Sequence, residues 1–435
     1  MDGVAIGLIG LGATVVLLAL RLPIGVALGG VAFLGIWAFA GPRAAWGMLS
    51  QVPYEFTAHW TLSSIPMFLL MGYVSYHARI TESLFSAAQL WLGRLPGGLG
   101  IATVAGAAGF SAVTGSSLAA AAAMGRIAVP EMARNGYRPG FAAGIVAAAG
   151  TIGSMIPPSI IMILYGIFAE VSIGKLFIAG IFPGLLTALI YSLAILIRVL
   201  TRPEIAPRTT GTVPMSAKLR ALGDAWPFLL LVLGVFGGLF SGAFTPTEAG
   251  AVGALLSIVI AAAKGALTRK VLGDAVTETL HGAASIFFIA VGAALLTRFL
   301  AFTGVPTFFS DMIVAAELDQ LQLMLAIALL YIFLGMFLDP MGCLLLTLPI
   351  LLPILEARDA DLIWFGILLV KFLEIGLITP PVGLNVYVIK EIMGDQTTVG
   401  RIFQGVSWFI VADILLVTAM IVLPGIVTYL PRFIE

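Results

Sequence analysis

Long apolar stretches follow one another along the whole chain, separated by glycine, proline and short polar segments. Ten of them approach the roughly 20 residues that a helix needs to cross a bilayer. They predict membrane spans at 4–20, 23–41, 62–78, 140–169, 173–197, 226–242, 246–263, 283–302, 361–389 and 403–430. The pattern therefore predicts an all-α polytopic membrane protein with about ten transmembrane helices.

Two further apolar stretches, 97–129 and 320–355, are too long for one simple span. Each is interrupted in the middle, the first by Gly115, Ser116 and Ser117 and the second by Asp339. This interruption is typical of a re-entrant hairpin, which enters and leaves the membrane on the same side. We expect one such hairpin in each half of the chain.

Composition agrees with a lipid environment. Of the 435 residues, 60% are hydrophobic and only 10% are charged, against about 25% charged residues in soluble proteins. A water-soluble enzyme is thereby excluded, and zero net charge argues against a nucleic-acid partner. The single cysteine, Cys343, excludes an internal disulfide and a cysteine-cluster metal site. No basic residue precedes the first apolar stretch, so we expect a retained helix rather than a signal peptide.

Charge distribution predicts the orientation. If the N-terminus lies outside, 16 of the 22 Lys and Arg residues fall in inside loops and four fall outside, as the positive-inside rule requires. Both termini are then periplasmic. The first hairpin opens from the cytoplasm and the second from the outside. A basic, proline-containing segment at 198–225 becomes a cytoplasmic linker.

The two halves share a motif at an offset of 223 positions. Gly153 precedes Pro157 and Pro158 with the same spacing by which Gly376 precedes Pro380 and Pro381. Combined with oppositely facing hairpins, the match predicts inverted repeats, which are typical of secondary transporters. The first repeat is 1–197, with its hairpin at 97–129 and a broken helix at 140–169. The second is 226–435, with its hairpin at 320–355 and a broken helix at 361–389.

Each Pro-Pro pair is expected to break its helix. Proline lacks an N–H and clashes with the carbonyl four residues earlier, which frees the carbonyls at 153, 154, 376 and 377. Unpaired carbonyls are costly in a bilayer unless they meet a partner such as a cation. Nearby hydroxyls and amides would complete the shell, and they belong to Thr151, Ser154, Ser159, Thr379 and Asn385. The exposed helix N-terminus suits an anion. An ordinary proline kink is the alternative.

The hairpin tips supply the other half of each predicted site. Ser116 and Ser117 offer hydroxyls where Gly115 permits a tight turn, although simple packing is the alternative. Asp339 is a carboxylate inside the membrane, which favours a functional role; capping of the following helix is the alternative.

Elsewhere, Thr245 and Glu248 form a predicted capping box. Lys371 and Glu374 have the spacing of an ion pair, and residues 43–60 resemble an interfacial arm helix that corresponds to 267–282.

At these residues the chain resembles the large membrane subunit, of DctM type, of tripartite ATP-independent periplasmic (TRAP) transporters. The resemblance runs nearly end to end. The motifs that carry it are Gly115-Ser-Ser-Leu-Ala, Ile127-Ala-Val-Pro-Glu-Met132, Asn135-Gly-Tyr137, Gly150-Thr-Ile-Gly-Ser-Met-Ile-Pro-Pro-Ser159, Phe244-Thr-Pro-Thr-Glu-Ala-Gly250, Gly335-Met-Phe-Leu-Asp-Pro-Met-Gly342 and Thr379-Pro-Pro-Val-Gly-Leu-Asn385.

The resemblance implies the ion-transporter-superfamily fold, with a scaffold domain and a mobile, elevator-type transport domain. It implies no enzymatic activity and no cofactor except Na⁺ as the coupling ion. It also implies three partners in the bacterial inner membrane and periplasm: a small four-helix membrane subunit, a periplasmic substrate-binding protein and a small organic anion as substrate.

Carried over position by position, the resemblance implies two sodium sites. The first would use Ser116, Ser117, Gly150 and Gly153, and the second Gly342, Gly376 and Thr379. Asp339 and Asn385 would lie near ion or substrate. Two other readings stay open at this point. A stand-alone sodium/dicarboxylate-type symporter of the same superfamily is the nearer one, and an intramembrane enzyme, for which no paired His or metal cluster is present, is the more distant one.

Overall fold

The computed structural model describes residues 2–207 and 213–433, and within these ranges it is built of α-helices joined by short turns. Residues 208–212 of the predicted linker lie outside the described part. The first half contains ten helices: α1 Gly3–Ala19, α2 Ile24–Ala40, α3 Pro42–Thr57, α4 Ser64–His77, α5 Glu82–Leu92, α6 Gly98–Thr114, α7 Ser117–Arg134, α8 Pro139–Gly150, α9 Ile160–Phe168 and α10 Ile173–Thr201.

The second half contains eleven helices in its described part. They are α11 Met215–Asp224, α12 Trp226–Phe240, α13 Pro246–Ala263, α14 Arg269–Thr303, α15 Val305–Ala315, α16 Gln320–Gly335, α17 Pro340–Glu356, α18 Leu362–Gly376, α19 Leu384–Met393, α20 Val399–Val422 and the one-turn α21 Gly425–Thr428. The all-helical polytopic fold predicted from the hydrophobic pattern is confirmed.

Helices of the two halves correspond at the offset of 223 positions. α1 corresponds to α12, α2 to α13, α5 to α15, and α6 to α10 correspond in order to α16 to α20. The main difference is α14, one helix of 35 residues where the first half has α3, a short 3₁₀ turn at Trp60–Ser63 and α4. Proline explains it, because Pro53 and Pro66 lie in the first-half segment and no proline lies between 269 and 303.

Several helix boundaries differ from the prediction. The second helix of the first hairpin continues past 129 to Arg134. The predicted span 403–430 is a helix that starts at Val399 and ends at Val422. Helices α5, α11 and α15, of 10 or 11 residues each, lie where the hydrophobic pattern predicted only loops or a linker. All three are too short for a membrane span.

Length also separates the predicted spans into two kinds. Four helices of the described chain are long and apolar enough to cross a membrane alone: α10, α13, α14 and α20. A fifth span is formed if α11 and α12, which are bent by 48° at their junction, count as one. Most of the other predicted spans are shorter helices, such as α1 and α2 with 17 residues each, or the two broken pairs α8–α9 and α18–α19.

The helices pack in two groups. In the frame group (α1–α4 and α12–α14), α2 packs along α14 and α13 packs along α4, while α15 packs mainly on α17. Glycines permit the close packing of α2 and α14, since a Cβ added at Gly292 would lie 2.7 Å from the carbonyl oxygen of Gly25. In the hairpin group (α6–α10 and α16–α20), α7 and α20 pack on α8, and α16 packs on α18. The groups meet through α4 with α6 and through α14 with α17.

Candidate functional site

The first hairpin turns at Gly115, which has a φ of +62°. Glycine adopts this left-handed conformation without strain. A Cβ at this position would collide with the carbonyl oxygen of Pro158, so the tip lies directly against the first helix break. Ser116 follows, and its hydroxyl accepts a hydrogen bond from the backbone N–H of Ala119 at 3.4 Å, which caps α7.

The break between α8 and α9 packs backbone to backbone against the start of α7. A Cβ on Gly153 would lie 2.6 Å from the Cα of Ser117, so a side chain does not fit there. The hydroxyls of Ser117 and Ser154 are buried and bonded to each other at 2.9 Å. Within the described chain, no backbone N–H bonds the carbonyls of Gly153 or Ser154, as expected from Pro157 and Pro158. Two hydroxyls and two carbonyls without a backbone donor thus belong to this break and the hairpin tip against it.

The second hairpin turns before Asp339, which caps α17. Its Oδ1 accepts hydrogen bonds from the N–H groups of Met341 at 3.0 Å and Gly342 at 3.2 Å. Helix capping, the alternative role considered for Asp339 from the sequence, is therefore observed. Asp339 and Ser116 occupy equivalent positions in the two halves, and each caps the second helix of its hairpin.

The second break, after α18, is not a copy of the first. The carbonyl of Gly376 accepts from the N–H of Thr379 at 3.2 Å, and that of Leu377 accepts from the N–H of Asn385 at 3.0 Å. The expectation that both carbonyls lack partners is wrong here, because the loop folds back and supplies donors. Each carbonyl retains a second lone pair. A Cβ on Gly376 would lie 2.7 Å from the Cα of Gly335, so α16 and α18 cross closely there.

Four other predicted site residues lie in and around this junction of tips and breaks. Gly150 lets α8 approach α7 closely, since a Cβ added at this position would lie 2.6 Å from the Cβ of Ala121. Ser159 caps α9. A Cβ on Gly342 would be 2.8 Å from Ile24 of the frame group. Asn385 is fully buried, and its amide donates to the carbonyl of Ala147 at 3.2 Å while its side-chain oxygen has no partner in the described chain.

A small cavity of about 70 Å³ lies where both tips and both breaks meet. Its lining contains five predicted site residues and backbone from each half: Gly115, Ser116, Ser117, Leu118, Ser154, Ile160, Ile161, Asp339, Pro340, Met341 and Leu377. The two hairpins and two broken helices thus converge on one point.

A larger cavity of about 770 Å³ separates the hairpin tips from α2, α4 and α14. Ser116 and Asp339 lie in its wall as well. Among the described residues that line it, Arg126 is the one Lys or Arg, and its guanidinium donates to the hydroxyl of Tyr76 at 3.0 Å. Glu278, also in the wall, is 3.3 Å from His77. The cavity has the volume of a small-molecule site.

A buried polar network lies behind the first break. Lys371 of α18 places its ammonium 2.6 Å from the carboxylate of Asp413 on α20, and the hydroxyl of Tyr191 on α10 donates to the same carboxylate at 2.7 Å. Thr151, at the break, is 3.0 Å from Tyr191. The predicted Lys371–Glu374 pair is wrong, since Lys371 reaches across to Asp413 and not along its own helix.

Two residues with strong chemistry were missed from the sequence as site residues. Arg126 is one of the 16 basic residues that the charge distribution assigns to inside loops. It also shares a helix face with Ser116 through the 3-4-3 spacing of 116, 119, 123 and 126, so the sequence did contain a signal for it. Glu374 is fully buried one turn from Lys371, and both its carboxylate oxygens lack a hydrogen-bond partner in the described chain. No sequence signal identified it beyond its intramembrane charge.

Comparison with known proteins agrees with this architecture. Residues 11–426 match the family model described as the tripartite ATP-independent periplasmic transporter, DctM component. The chain is 37% identical over 385 residues to the C4-dicarboxylate TRAP transporter large permease protein DctM of Pseudomonas aeruginosa, covering 87% of this chain and 86% of the relative.

Two further relatives carry other substrate names. The sialic acid TRAP transporter large permease protein SiaM of Vibrio cholerae is 33% identical, with 78% of each chain covered. The isethionate TRAP transporter permease protein DctMQ of Oleidesulfovibrio alaskensis is 32% identical, covering 92% of this chain and 62% of the relative. These matches decide against the stand-alone symporter and against an intramembrane enzyme.

Solved structures support the fold alone. The YdaH transporter of Alcanivorax borkumensis aligns with a TM-score of 0.59 at 14% identity and covers 88% of both chains. MtrF of Neisseria gonorrhoeae aligns with a TM-score of 0.60 at 15% identity and covers 89% of this chain and 86% of its own. Taken with the family match, they show that this chain is a multi-pass membrane protein of the DctM family, the non-enzymatic large permease of a TRAP transporter.

Proposed function

We propose that this permease carries a small organic anion into the cell, driven by sodium ions, by an elevator movement of the hairpin group against the frame group. One observation carries the proposal: Ser116 and Asp339 at the two hairpin tips line the 770 Å³ cavity whose wall contains Arg126, and the same two residues line the small cavity where both helix breaks meet. Arg126 supplies a cationic side chain to this cavity and the Ser116-capped N-terminus of α7 a partial positive charge, which together suit an anion of modest size.

The relatives support an anionic substrate. The names of the three cited relatives refer to a C4-dicarboxylate, sialic acid and isethionate, all of which are organic acids that carry negative charge at neutral pH. In the cavity wall, the guanidinium of Arg126 donates to Tyr76 and has further N–H donors. Ser116, on the same face of α7, adds a hydroxyl and the helix N-terminus.

Sodium coupling is supported by the oxygen atoms at the breaks. The hydroxyls of Ser117 and Ser154 and the unbonded carbonyls of Gly153 and Ser154 form a set of hard oxygen donors, which suits Na⁺. Together with Ser116 and Gly150, we assign them to the first sodium site. The second site, Gly342, Gly376 and Thr379, offers carbonyl lone pairs and one hydroxyl. Bound cations lower the cost of placing an anion in a bilayer.

The permease is proposed to act with three partners in the bacterial inner membrane and periplasm. A small four-helix membrane subunit and a periplasmic binding protein follow from its place in a tripartite system. Many large apolar side chains lie exposed along α10, α12 and α20, such as Leu185, Leu233 and Leu415, which are 56%, 68% and 67% exposed. They provide surface for lipid and for the small subunit. The charge distribution supports a periplasmic position for both termini.

Anion recognition is tested by thermal unfolding of the purified permease at a fixed sodium concentration, with succinate, N-acetylneuraminate or isethionate as probe. We expect at least one of these anions to raise the melting temperature, because a ligand that binds only the folded state stabilises it. We expect Arg126→Gln to raise the anion concentration needed for half of this stabilisation at least tenfold.

Arg134→Gln is the matched control, because Arg134 lies on the same helix, is exposed, and is outside the cavity. It should respond as the wild type does. An unchanged anion response in Arg126→Gln would contradict the placement of the substrate, and a failure of all three anions to stabilise the wild type would contradict the proposed substrate class.

A further inference from the structure

Glu374 is a fully buried carboxylate for which the described chain supplies no hydrogen-bond partner at either oxygen. It lies on α18, two residues before Gly376 and the second break. An ionised carboxylate in a low-dielectric interior is strongly unfavourable unless a positive charge or several donors face it. The groups around Glu374 therefore decide what it does.

The nearest cation is already paired. Lys371 lies one turn earlier on α18, but its ammonium is 2.6 Å from Asp413 and 3.4 Å from the hydroxyl of Thr187. The hydroxyl of Tyr191 donates to Asp413 as well. Lys371 and Asp413 thus balance each other's charge. Glu374 is left as the acidic side chain of this buried cluster that has no cation paired with it in the described chain.

Two hydroxyls lie beside the carboxylate. Ser117 of the first hairpin and Ser154 of the first break are close enough to Glu374 to interact with it, yet they bond each other at 2.9 Å. A hydroxyl has one proton, so the pair uses one internally and retains at most one for the carboxylate. The arrangement is rich in acceptor oxygens and poor in protons, which favours a cation over a hydrogen-bonded anion.

We propose that Glu374 is a ligand of a coupling sodium ion, bound together with the hydroxyl oxygens of Ser117 and Ser154. This inference rests on the proposed sodium coupling and adds to it a charged ligand from the opposite half of the chain. The site would then join the first hairpin, the first break and α18. Its own carboxylate neutralises the ion, so this sodium is bound without a net charge in the bilayer.

The test is a sodium titration of the melting temperature of the full permease, with choline replacing sodium at constant ionic strength. We expect Glu374→Gln to raise the sodium concentration at half-effect at least tenfold. In choline alone it should melt at or above the wild-type temperature, because the uncompensated charge is gone. Ser154→Ala should weaken sodium binding in the same direction.

The matched controls are Glu391→Gln, which removes an exposed carboxylate of α19, and Ser75→Ala, which removes a buried hydroxyl of the frame group. In both controls, the sodium concentration at half-effect should equal that of the wild type. If Glu374→Gln does not fold, Glu374→Asp, which shortens the ligand by one methylene, takes its place. If the wild-type protein responds to sodium and the Glu374 variants keep its sodium concentration at half-effect, the inference about Glu374 is overturned, but the proposed sodium coupling is not. A wild-type protein that does not respond to sodium overturns the proposed coupling itself.

Discussion

At the scale of single residues, the buried Lys371–Asp413 pair ties three helices together. Lys371 belongs to α18, Asp413 to α20, and the hydroxyl that completes the pair, from Tyr191, to α10. Neither charge is more than 1% exposed. A buried pair adds little net stability over apolar side chains, but it is costly to break because the remaining charge stays buried.

We therefore expect Asp413→Asn to destabilise the protein by about 3–5 kcal/mol, since it leaves the Lys371 ammonium without a countercharge. The double substitution Lys371→Met with Asp413→Leu should recover most of that loss. Glu82→Gln, which breaks the exposed pair with Arg79, should cost less than about 1 kcal/mol. Reversible denaturation in detergent measures all three, and equal losses from the buried and exposed pairs would contradict this account.

Glycine at position 153 is required by contact and not by backbone conformation. A Cβ there would meet the backbone of Ser117 at 2.6 Å. Gly153→Ala is expected to push the first break away from the hairpin tip, to cost about 1–3 kcal/mol as overpacking does, and to weaken sodium binding. Gly47→Ala, in the open interior of α3, should instead stabilise by about 0.5–1 kcal/mol. Sodium titration and denaturation of both variants distinguish the two cases.

At the scale of helices, local sequence signals determine the helix starts. The capping box predicted from Thr245 and Glu248 is confirmed: the side chain of Thr245 accepts from the N–H of Glu248 at 3.3 Å, and Glu248 accepts from the N–H of Thr245 at 2.8 Å. Asp319 and Gln322 form another at the start of α16. Such caps satisfy orphan N–H groups where each helix begins.

Thr245→Ala should destabilise the protein by about 0.5–2 kcal/mol, because the first turn of α13 loses its cap. Ser50→Ala is the control, since that exposed hydroxyl bonds only the Gly47 carbonyl of its own helix, and its loss should stay within about 0.5 kcal/mol. Calorimetry of the two variants provides the comparison. An effect of Thr245→Ala no larger than that of the control would rule out a stabilising cap.

Helices and their breaks were largely predictable because local chemistry sets them. The span at 246–263 is found with those bounds in α13, and both hairpins start within one residue of the predicted position. The short helices α5 and α15 were not predicted because 11 residues are too few for a membrane span. The predicted arm helix 267–282 and the predicted span 283–302 form one continuous helix, α14. This was not predicted, although the absence of proline between 269 and 303 was a signal for it.

At the scale of the whole molecule, the site is made by contacts between the two halves. The small cavity is lined by tip and break residues that are more than 200 positions apart, such as Ser116 and Asp339. Local sequence predicts each tip but not which side chains face each other across the junction. The position of Glu374 beside Ser117 and Ser154, and that of Arg126 beside Tyr76, depend on this packing and so were not predicted.

The most direct test of sodium coupling is the melting temperature of the purified permease in Na⁺, K⁺ and choline at equal ionic strength. Ions that bind only the folded state stabilise it by about 2.7 kcal/mol at a hundredfold excess over Kd. We predict a rise in melting temperature that is specific to sodium and is reduced in both Ser117→Ala and Thr379→Ala. Identical melting curves of folded wild-type protein in the three salts would contradict sodium binding at the hairpin tips and helix breaks.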